Sequence, residues 1–432
     1  MDSKKLTLVL AVVIVAVVAV AAVALTMGGN DDEEDEVEQY PIEDQTIGDL
    51  VVFGNANNDR TVDQADIDYV KKVMAGKAPR TLFCDANHDG VVDEKDIEQI
   101  KDMMANKDGT VVWYIDAMEA ERSIKWPVNR VIALSNSPQI MALSVGLDDK
   151  VVAISKEDKF LYQNFTNAKL ISAGLADYET IFSFNPDAVV VGNSHGGGED
   201  ELQDKELLKQ YANRGIALYS TYNMDGEKSA SSALTLGYLC QSFEKANLYY
   251  DWCNEINETI DKKVATLSEK DKKKAMVIFG GRAVSGLGYD YTKALEKAGG
   301  INVVTDFEGY KMFSDDNINF VFNYHPEIVF RIGSIGYGKI VNDADAGIPV
   351  YEKHFNKFKP METVKNGNMY LIDFSLPQTL RIAYMAEIMY PDLFGEGFGD
   401  EWHQKLLDIY GIDFKVDGQF VVTYDEYMAS KA

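Results

Sequence analysis

Two short segments of the sequence carry oxygen-bearing side chains at alternate positions, which is the donor arrangement that a hard cation requires. The segments are offset by 30 residues, and Gly90 stands at the sixth position of the second, where a calcium loop turns sharply. The pattern predicts calcium as a cofactor at two sites, whereas a degenerate acidic turn is the alternative interpretation. The predicted ligands are Asn55, Asn57, Asp59, Thr61, Asp63 and Asp66 in the first loop, and Asp85, Asn87, Asp89, Val91, Asp93 and Asp96 in the second.

The two loops differ in their expected affinity for calcium. The second loop has four side-chain carboxylates, whereas the first has three and carries Arg60 in place of glycine at the turn. Because ligand charge strengthens calcium binding, we expect the second loop to bind more tightly. Each loop is followed by apolar residues at helical spacing, which predicts one amphipathic helix after each loop.

Paired loops that each lead into one helix and end in Asp at position 12 resemble the type I dockerin module over residues 48–107. The resemblance implies calcium-dependent folding and docking onto a cohesin-bearing partner through loop positions 10 and 11. These positions hold Gln64 and Ala65 in one loop and Glu94 and Lys95 in the other. Because the two pairs differ chemically, two equivalent docking modes are not expected.

Arginine is scarce in this acidic chain, so the placement of its eight arginines is informative. Arg282 and Arg331 fall at or just after the ends of predicted strands, and Arg381 follows a predicted loop by a few residues. A guanidinium donates a planar fork of hydrogen bonds to carboxylate or phosphate oxygens, and tyrosines supply flat faces and hydroxyls. These residues predict a cleft that binds an anionic metal chelate or a corrinoid. The predicted ligand-binding residues are Ser135, Tyr162, His195 as an axial metal ligand, Arg282, Tyr289, Tyr291, Arg331 and Tyr337, with Tyr310 as a further candidate.

The alternative for these side chains is a structural role, in which the arginines cap strands or pair with acids and the tyrosines pack. A second alternative is catalytic, because Gly192, Ser194 and Gly196 form a G-x-S-x-G sequence directly after a predicted strand. Three consecutive glycines at residues 196–198 would weaken the following helix, and no flanking sequence identifies a histidine partner for Ser194. A flexible cleft loop explains the same residues, so we expect no enzymatic activity.

The overall composition excludes some partners. The 69 acidic and 42 basic side chains leave a formal charge of -27, which disfavours nucleic acid and anionic membrane surfaces. The three cysteines, Cys84, Cys240 and Cys253, have no C-x-x-C spacing and are odd in number, so we expect buried thiols rather than a disulfide framework. A length of 432 residues predicts more than one core.

The amino terminus predicts a membrane segment. Lys4 and Lys5 precede an uncharged apolar run over residues 6–27, which is long enough to cross a bilayer as a helix. A cleaved signal peptide is the alternative, although its apolar region usually spans about 7 to 15 residues. Because the lysines precede the run, the positive-inside rule places the rest of the chain outside the cytoplasm. We therefore expect a plasma-membrane anchor followed by an acidic spacer at residues 28–47.

The elements that must position the predicted cleft begin near residue 110, where short β-branched runs alternate with helical patterns. This alternation predicts an α/β fold with parallel-rich sheets. Residues 243–267 lack glycine and proline and place apolar residues on one stripe, which predicts a helix of about 35 to 40 Å between two groups of strands. The predicted strands lie at residues 130–134, 151–154, 188–191, 216–219, 276–279, 328–332 and 369–372.

Six stretches of this region, in order, resemble the class III periplasmic binding proteins for ferric siderophores, haem and corrinoids. The resemblance implies two α/β lobes joined by the long helix, little hinge motion, and a ligand held between the lobes at the strand carboxyl ends. It also implies an ABC importer permease as partner, docked by one Glu on each lobe. Glu179 matches the first of these acids, whereas Asn319 stands where the second is expected. The six stretches lie at residues 113–134, 143–152, 178–187, 297–303, 365–370 and 390–394.

The sequence thus predicts an extracytoplasmic receptor that delivers a metal chelate to an ABC importer. A cell-surface scaffold that docks a cohesin through its calcium module is the first alternative, and a serine hydrolase using Ser194 is the second. The predicted segments are a membrane anchor at 1–27, a spacer at 28–47, a small all-α calcium module at 48–107, an amino-terminal lobe at 110–242, a linking helix at 243–268 and a carboxyl-terminal lobe at 269–432.

Overall fold

The computed structural model describes residues 49–155, 164–193, 202–222, 226–333, 335, 337–340, 343 and 345–432. The predicted membrane anchor and the acidic spacer, residues 1–47, lie outside the described residues. Within the described part of the chain, no helix combines the length and the apolar character that a membrane crossing requires.

The loop module, residues 49–107, contains one helix after each predicted calcium loop. Asp63 and Asp93 cap these helices, and in both copies the Asp three residues later accepts a hydrogen bond from the backbone of the capping residue. The buried faces of the two helices meet at Ile67 and Ile97 in a small core of their own. The module comprises α1 (Gln64–Met74), a short 3-10 helix (Leu82–Cys84) and α2 (Glu94–Met104).

The amino-terminal lobe opens with an antiparallel hairpin and continues, among the described residues, as a five-stranded parallel sheet of order β5-β4-β3-β6-β7. The direction of winding reverses between β3 and β6, which creates a crevice at the carboxyl ends of these strands. The elements are β1 (Val111–Ile115), β2 (Glu121–Lys125), β3 (Val131–Leu134), α3 (Asn136–Ser144), β4 (Val151–Ile154), β5 (Lys169–Leu170), α4 (Tyr178–Ser183), β6 (Ala188–Asn193), α5 (Lys205–Ala212), β7 (Ala217–Tyr222) and α6 (Gly226–Leu239).

The linking helix α7 (Phe243–Val264) has 22 residues, which corresponds to about 33 Å. It ends three residues before the predicted boundary at 267, because the amide and the hydroxyl of Thr266 both bond back to the Lys263 carbonyl and close the last turn. The Trp252 indole donates a hydrogen bond to the Trp402 carbonyl at 2.9 Å, which connects the middle of α7 to the carboxyl-terminal lobe.

The described part of the carboxyl-terminal lobe holds a seven-stranded sheet of order β11-β9-β8-β12-β13-β14, with β10 also paired to β8. Strands β8, β10, β12 and β13 run parallel, and the remaining strands pair antiparallel at the edges. The elements are β8 (Lys274–Phe279), β9 (Ala283–Ser285), α8 (Asp290–Lys297), β10 (Ile301–Asn302), β11 (Tyr310–Met312), α9 (Asn319–Phe322), β12 (Ile328–Gly333), α10 (Tyr337–Ile340), α11 (Ile348–Phe358), α12 (Glu362–Lys365), β13 (Met369–Asp373), α13 (Gln378–Met389), α14 (Pro391–Phe394), α15 (Phe398–Tyr410), β14 (Val421–Val422) and α16 (Tyr424–Ala429).

In both lobes, the acidic residue that follows a proline accepts hydrogen bonds from the backbone at the start of a neighbouring strand. The Asp187 carboxylate accepts from the amides of Asn129 and Arg130, both at 2.8 Å, just before β3. In the second lobe the Glu327 carboxylate accepts from the amide of Lys274 at 2.9 Å, at the start of β8. The repeated Pro-acid sequence is therefore a structural device in each lobe.

The predicted α/β class with parallel-rich sheets is confirmed, and each predicted strand overlaps an observed one with boundaries that differ by at most three residues. The strands are buried along their lengths because they are covered by helices, which explains their continuous β-branched runs. All three cysteines are buried and unpaired, as predicted.

Candidate functional site

A cleft of about 720 Å³ opens at the carboxyl edges of both sheets. Asn136 follows β3, residues 280–282 follow β8, Arg331 lies within β12, and Phe374 follows β13. The cleft thus spans both lobes at the point where each sheet changes its direction of winding, which is the usual ligand position in open α/β sheets. Its volume lies within the range of about 300 to 1,000 Å³ that ligand sites occupy.

The described lining of the cleft contains cations and no carboxylate. Arg282, Arg331, Lys353 and Lys357 all line it, in a chain whose formal charge is -27. Arg282 and Lys353 are exposed and form no ion pair with a described residue, whereas Lys357 lies 2.9 Å from the Asp315 carboxylate. Cations gathered against the overall charge create a local field that attracts an anion.

The wall of the cleft contains a buried pair, Arg331 and His354, whose exposed fractions are 3% and 5%. Nη2 of Arg331 lies 3.1 Å from Nε2 of His354, and Nη1 donates to the Ile278 carbonyl at 3.3 Å. Burial lowers the pKa of Arg331 to about 10. Burial, together with the Arg331 charge, lowers the pKa of His354 to about 3. At neutral pH the pair is therefore a guanidinium donating to a neutral imidazole, and its single positive charge has no described carboxylate partner.

Three of the predicted tyrosines meet around Phe279, directly before the cleft turn at residues 280–282. The Tyr289 ring stacks on Phe279 with centroids 5.1 Å apart, and the Tyr310 ring lies 5.3 Å from Tyr289. Tyr310 is 40% exposed, so this cluster presents aromatic surface to solvent. Tyr291 also touches Phe279, at 4.9 Å, but it is 1% exposed and supports the cluster from beneath.

Arg381, which the sequence suggested as a third cleft cation, is 2% exposed. Its guanidinium donates to the carbonyls of Phe374 and Leu376, at 2.8 and 2.6 Å, and to the Gln378 side chain at 2.8 Å. Because the first turn of α13 is buried, Arg381 holds the loop at residues 374–377 in place instead of facing the cleft.

Ser135 has a positive φ of 75°, and its amide donates to the Ser155 hydroxyl at 2.8 Å. This conformation is unusual for a residue other than glycine and directs the chain from β3 into α3. Ser135 is not part of the described cleft lining, whereas its neighbour Asn136 is. A small cavity of about 20 Å³ beneath Asn136 and Ser375 has room for about one water molecule.

Several predicted residues cannot be placed in the site. Tyr162, His195 and Ser194 lie outside the described residues, so the predicted axial metal ligand and the hydrolase alternative fall there too. Tyr337 begins helix α10, but its side chain is not described.

Helix α11 supplies cleft residues that the sequence analysis missed. Lys353, His354 and Lys357 lie at positions i, i+1 and i+4 and therefore share one helix face. Two lysines one turn apart beside a histidine, in an otherwise acidic chain, were a signal that could have identified them. Their link to Arg331 depends on packing between α11 and β12, which the sequence does not display.

The second predicted calcium loop already has the hydrogen bonds that shape such a site. The Asp85 carboxylate accepts from the amides of Asp89 and Gly90, at 3.0 and 2.9 Å, and Asp96 accepts from the amide of Asn87 at 3.2 Å. Gly90 has φ at 91°, a conformation that favours glycine at this turn.

The first loop contains a buried oxygen with no hydrogen bond. Asn55 is fully buried, its amide nitrogen donates to the Asp59 carbonyl at 2.7 Å, and its Oδ1 has no described partner. Burial, with neighbouring acids contributing, raises the pKa of Asp66 to about 7 and that of Asp96 to about 6. A divalent cation would satisfy the amide oxygen and favour the ionised carboxylates, so these donors fit calcium.

The loop carboxylates have not converged on a metal position. Among the described residues, no three His, Cys, Asp or Glu side chains are grouped closely enough to hold a metal ion. In the second loop the amino group of Lys95 lies 3.3 Å from Asp89 and 3.7 Å from Asp93, and the Arg80 guanidinium lies 3.5 Å from Asp85. Calcium binding would turn these carboxylates inward, and amide, hydroxyl and carbonyl oxygens would complete the six to eight donors that calcium takes.

Glu179, the predicted permease-docking acid, is exposed in the first turn of α4. The corresponding first turn of α9 in the second lobe presents Asn319, which is also exposed. The two lobes therefore offer chemically different groups at matching positions.

The chain matches no protein-family model, and no curated protein matches it. Its fold is similar to that of solved structures. FepB from Veillonella parvula, a TroA-like periplasmic binding protein, superposes with a TM-score of 0.56 and 16% identity, covering 72% of this chain and 99% of that one. CeuE from Helicobacter pylori, solved as a nickel–histidine complex, gives a TM-score of 0.54, 17% identity and coverage of 72% and 99%. An ABC transporter solute-binding protein from Sulfurospirillum deleyianum gives a TM-score of 0.51 and 15% identity, covering 71% of this chain and 97% of that one.

At these identities the similarity establishes the fold of the two lobes. It agrees with the arrangement expected from the sequence, two α/β lobes joined by a long helix with a cleft between them.

Proposed function

We propose that the chain is an extracytoplasmic solute-binding protein that delivers an anionic metal chelate to an ABC importer. The observation that carries this proposal is the cleft between the lobes, whose described lining presents four cations and no carboxylate in a strongly acidic protein. Ferric siderophores, haem and corrinoids combine a metal centre with carboxylate, phosphate or catecholate oxygens, which suit these cations.

Different residues of the cleft and its edge would make different contributions to binding such a ligand. Arg282 and Lys353 are exposed and would make the first electrostatic contact. The buried Arg331 would supply a desolvated charge, whose interaction with an anion is stronger than at the surface. Tyr289 and Tyr310, which lie beside the cleft turn and not in the described cleft lining, would add a flat aromatic surface at its edge for a ring system.

Hydrogen bonds connect the two lobes to each other, which supports binding without a large hinge motion. Helix α15 contacts both sides of the molecule, since Tyr410 hydrogen-bonds to Ser144 of α3 at 3.0 Å and the Trp402 carbonyl accepts from Trp252 of α7. A preformed cleft reduces the conformational entropy that binding must remove.

The solved neighbours support the same class of function. Veillonella FepB is a periplasmic binding protein, the Sulfurospirillum protein is a solute-binding protein of an ABC transporter, and Helicobacter CeuE was crystallised with nickel and histidine. In this chain, the exposed Glu179 would contact a basic pocket of the permease. The apolar run at residues 6–27 would anchor the protein in the plasma membrane, which fractionation of cells expressing the full chain tests directly.

The proposal is tested by titrating ferric siderophores, haem and cobalamin into the full chain and following tyrosine and tryptophan fluorescence. The best ligand is then titrated into Arg282→Ala and into the control Lys262→Ala, which removes an exposed cation of α7 that pairs with Glu258. We expect the affinity to fall at least tenfold in the first variant and to stay unchanged in the control. Binding of no ligand from these three classes, or equal affinity in both variants, would contradict the proposal.

The loop module gives a second candidate function, calcium-dependent docking of a cohesin-bearing protein. The residues at loop positions 10 and 11, Gln64 and Ala65 in one copy and Glu94 and Lys95 in the other, are all exposed. A purified cohesin domain titrated into the full chain, with calcium and with chelator, tests this function. Binding in neither condition would exclude it, and calcium-dependent binding that Glu94→Ala weakens would support it.

A further inference from the structure

The residues that precede the first calcium loop form part of the amino-terminal lobe. We call residues 49–53 the docking segment. The Phe53 amide donates to the Trp113 carbonyl at 2.9 Å, and the Ile115 amide donates to the Val51 carbonyl at 3.0 Å, so the segment pairs with strand β1. Val52 is fully buried in the same core as the strand residues. The docking segment therefore extends the β1–β2 hairpin.

The first calcium loop is joined to the docking segment and to the linking helix. The Asn55 side-chain amide donates both to the Leu50 carbonyl, at 2.8 Å, and to the Asp59 carbonyl inside the loop, at 2.7 Å. Arg60, at the loop turn, pairs with Asp251 of α7 at 2.7 Å and lies over the Tyr250 ring at 4.9 Å. A loop that becomes more or less ordered would therefore affect both the docking segment and the linking helix.

The second calcium loop contacts the same hairpin from another side. His88, at the fourth loop position, stacks on Trp113 of β1 with ring centroids 4.0 Å apart and planes inclined by 9°. Its Nε2 also lies 3.0 Å from the Glu121 carboxylate of β2, and its ring meets the edge of Phe53 in the docking segment. His88 has φ at 61°, so the loop backbone is what holds the ring against the hairpin.

Helix α2 completes the interface. Met103 is 1% exposed and belongs to the core that continues into the lobe, and the Gln99 side chain donates to the Val111 carbonyl at 2.7 Å. Buried apolar contacts and backbone hydrogen bonds therefore hold the module to the lobe, and the contacts of Asn55, Arg60 and His88 join the loops themselves to it.

We propose that the loop module is a calcium-dependent clamp whose partner is the amino-terminal lobe and linking helix of this same chain. The inference rests on the calcium sites proposed above, and the fully buried, unpartnered Oδ1 of Asn55 is the second observation that indicates a cation there. Calcium binding fixes the loop backbones that position Asn55, Arg60 and His88. Ligand binding stabilises whatever structure is coupled to the bound state, so calcium stabilises the hairpin and α7 as well as the module.

The test compares hydrogen exchange in the full chain, purified in detergent, with calcium and with chelator, alongside a calorimetric calcium titration. The clamp variant is Asp251→Asn/Trp113→Leu, which alters the contacts from the lobe side and leaves every loop residue intact. The matched control is Glu255→Gln/Val111→Ala, which changes an exposed acid of the same helix and an exposed side chain of the same strand.

We expect calcium to slow exchange about tenfold in the hairpin and α7 of the wild type and the control. The clamp variant should still bind calcium but should lose most of this protection outside residues 49–107. Protection confined to the module in the wild type, or equal protection in the clamp variant, would overturn the clamp. No calcium binding in the titration would overturn both the calcium sites and the clamp, and it would leave the solute-binding proposal to its own test.

Discussion

Arg331 and His354 form a buried pair in the wall of the cleft, with Nη2 and Nε2 separated by 3.1 Å and no described carboxylate bonded to either. Taking a guanidinium out of water carries a free-energy penalty that a neutral imidazole and one carbonyl offset only in part. A buried charge that the fold does not neutralise is a poor stabilising element. It is well suited to pair with an anion that enters from the cleft.

The first prediction separates stability from binding at Arg331. Replacement by Met keeps much of the side-chain volume and removes the buried charge, so we expect the free energy of unfolding to rise by about 1 kcal/mol. The affinity for the proposed anionic ligand should fall by at least about tenfold, because the desolvated cation is lost. Urea unfolding and fluorescence titration of the same preparation measure the two quantities.

Arg381→Met is the matched control, since Arg381 is buried but donates to two loop carbonyls and one side chain. Its replacement leaves those acceptors without donors and should lower stability by about 2 kcal/mol. If Arg331→Met destabilises the protein as much as Arg381→Met does, the charge of Arg331 serves the fold and not a ligand.

Arg331 and Arg381 show which features of the cleft the sequence could predict and which it could not. The sequence suggested both as cleft cations, Arg331 at a predicted strand end and Arg381 a few residues after a predicted loop, yet Arg331 lines the cleft and Arg381 holds a loop. The strands themselves were predictable, because buried parallel strands read as continuous β-branched runs. The direction of the Arg331 side chain depends on its contact with His354 of α11, whereas Arg381 lies within α13 and turns back to the loop before that helix.

The local structure of the two predicted calcium loops could be inferred from the sequence for a different reason. Their donors lie within twelve consecutive residues, so their geometry is local and the spacing alone identifies it. The attachment of the module to the lobe was not predictable, because the stacking of His88 on Trp113 and the pairing of Arg60 with Asp251 join distant parts of the sequence. Tyr289, Tyr291 and Tyr310 were predicted as ligand-binding residues, but their packing around Phe279 could not be predicted from the sequence.

The second prediction concerns acid stability. Burial lowers the pKa of His403 to about 3, whereas an unfolded chain gives histidine a pKa of about 6.5. Between these values the unfolded state binds more protons, so stability falls as the pH falls below about 6.5. Going from pH 7.5 to 5.5, the wild type should lose about 1 kcal/mol more than His403→Gln, measured by urea unfolding in saturating calcium.

His325 is the control for this measurement, because it is exposed. His325→Gln makes the same replacement at this exposed position and is measured beside His403→Gln. A His403→Gln variant with the same pH dependence as the wild type would mean that the folded protein protonates the buried imidazole freely, contrary to its burial.

The third prediction compares the two acids that follow proline. Asp187 accepts from two backbone amides and Glu327 from one, so their removal should have unequal consequences. We expect Asp187→Ala to lower the free energy of unfolding by about 2 kcal/mol and Glu327→Ala by about 1 kcal/mol. Equal losses in urea unfolding would show that the hydrogen bonds at the strand starts do not determine the effect.

The last prediction ranks the two proposed calcium sites by affinity. The second loop has four carboxylates and glycine at its turn, whereas the first has three carboxylates and Arg60, whose side chain is engaged with α7. Greater ligand charge should make the second loop the tighter site, although Lys95 and Arg80 must first release its carboxylates. Calorimetric titration of the chelator-treated full chain should therefore resolve two binding events, and Asp85→Ala should abolish the tighter one.

The corresponding substitution Asn55→Ala should abolish the weaker event and leave the tighter one within about threefold of its wild-type affinity, because each loop supplies its own ligands. If Asp85→Ala removes the weaker event instead, the charge ranking is wrong and the attachment of the first loop to the lobe outweighs the difference in carboxylates.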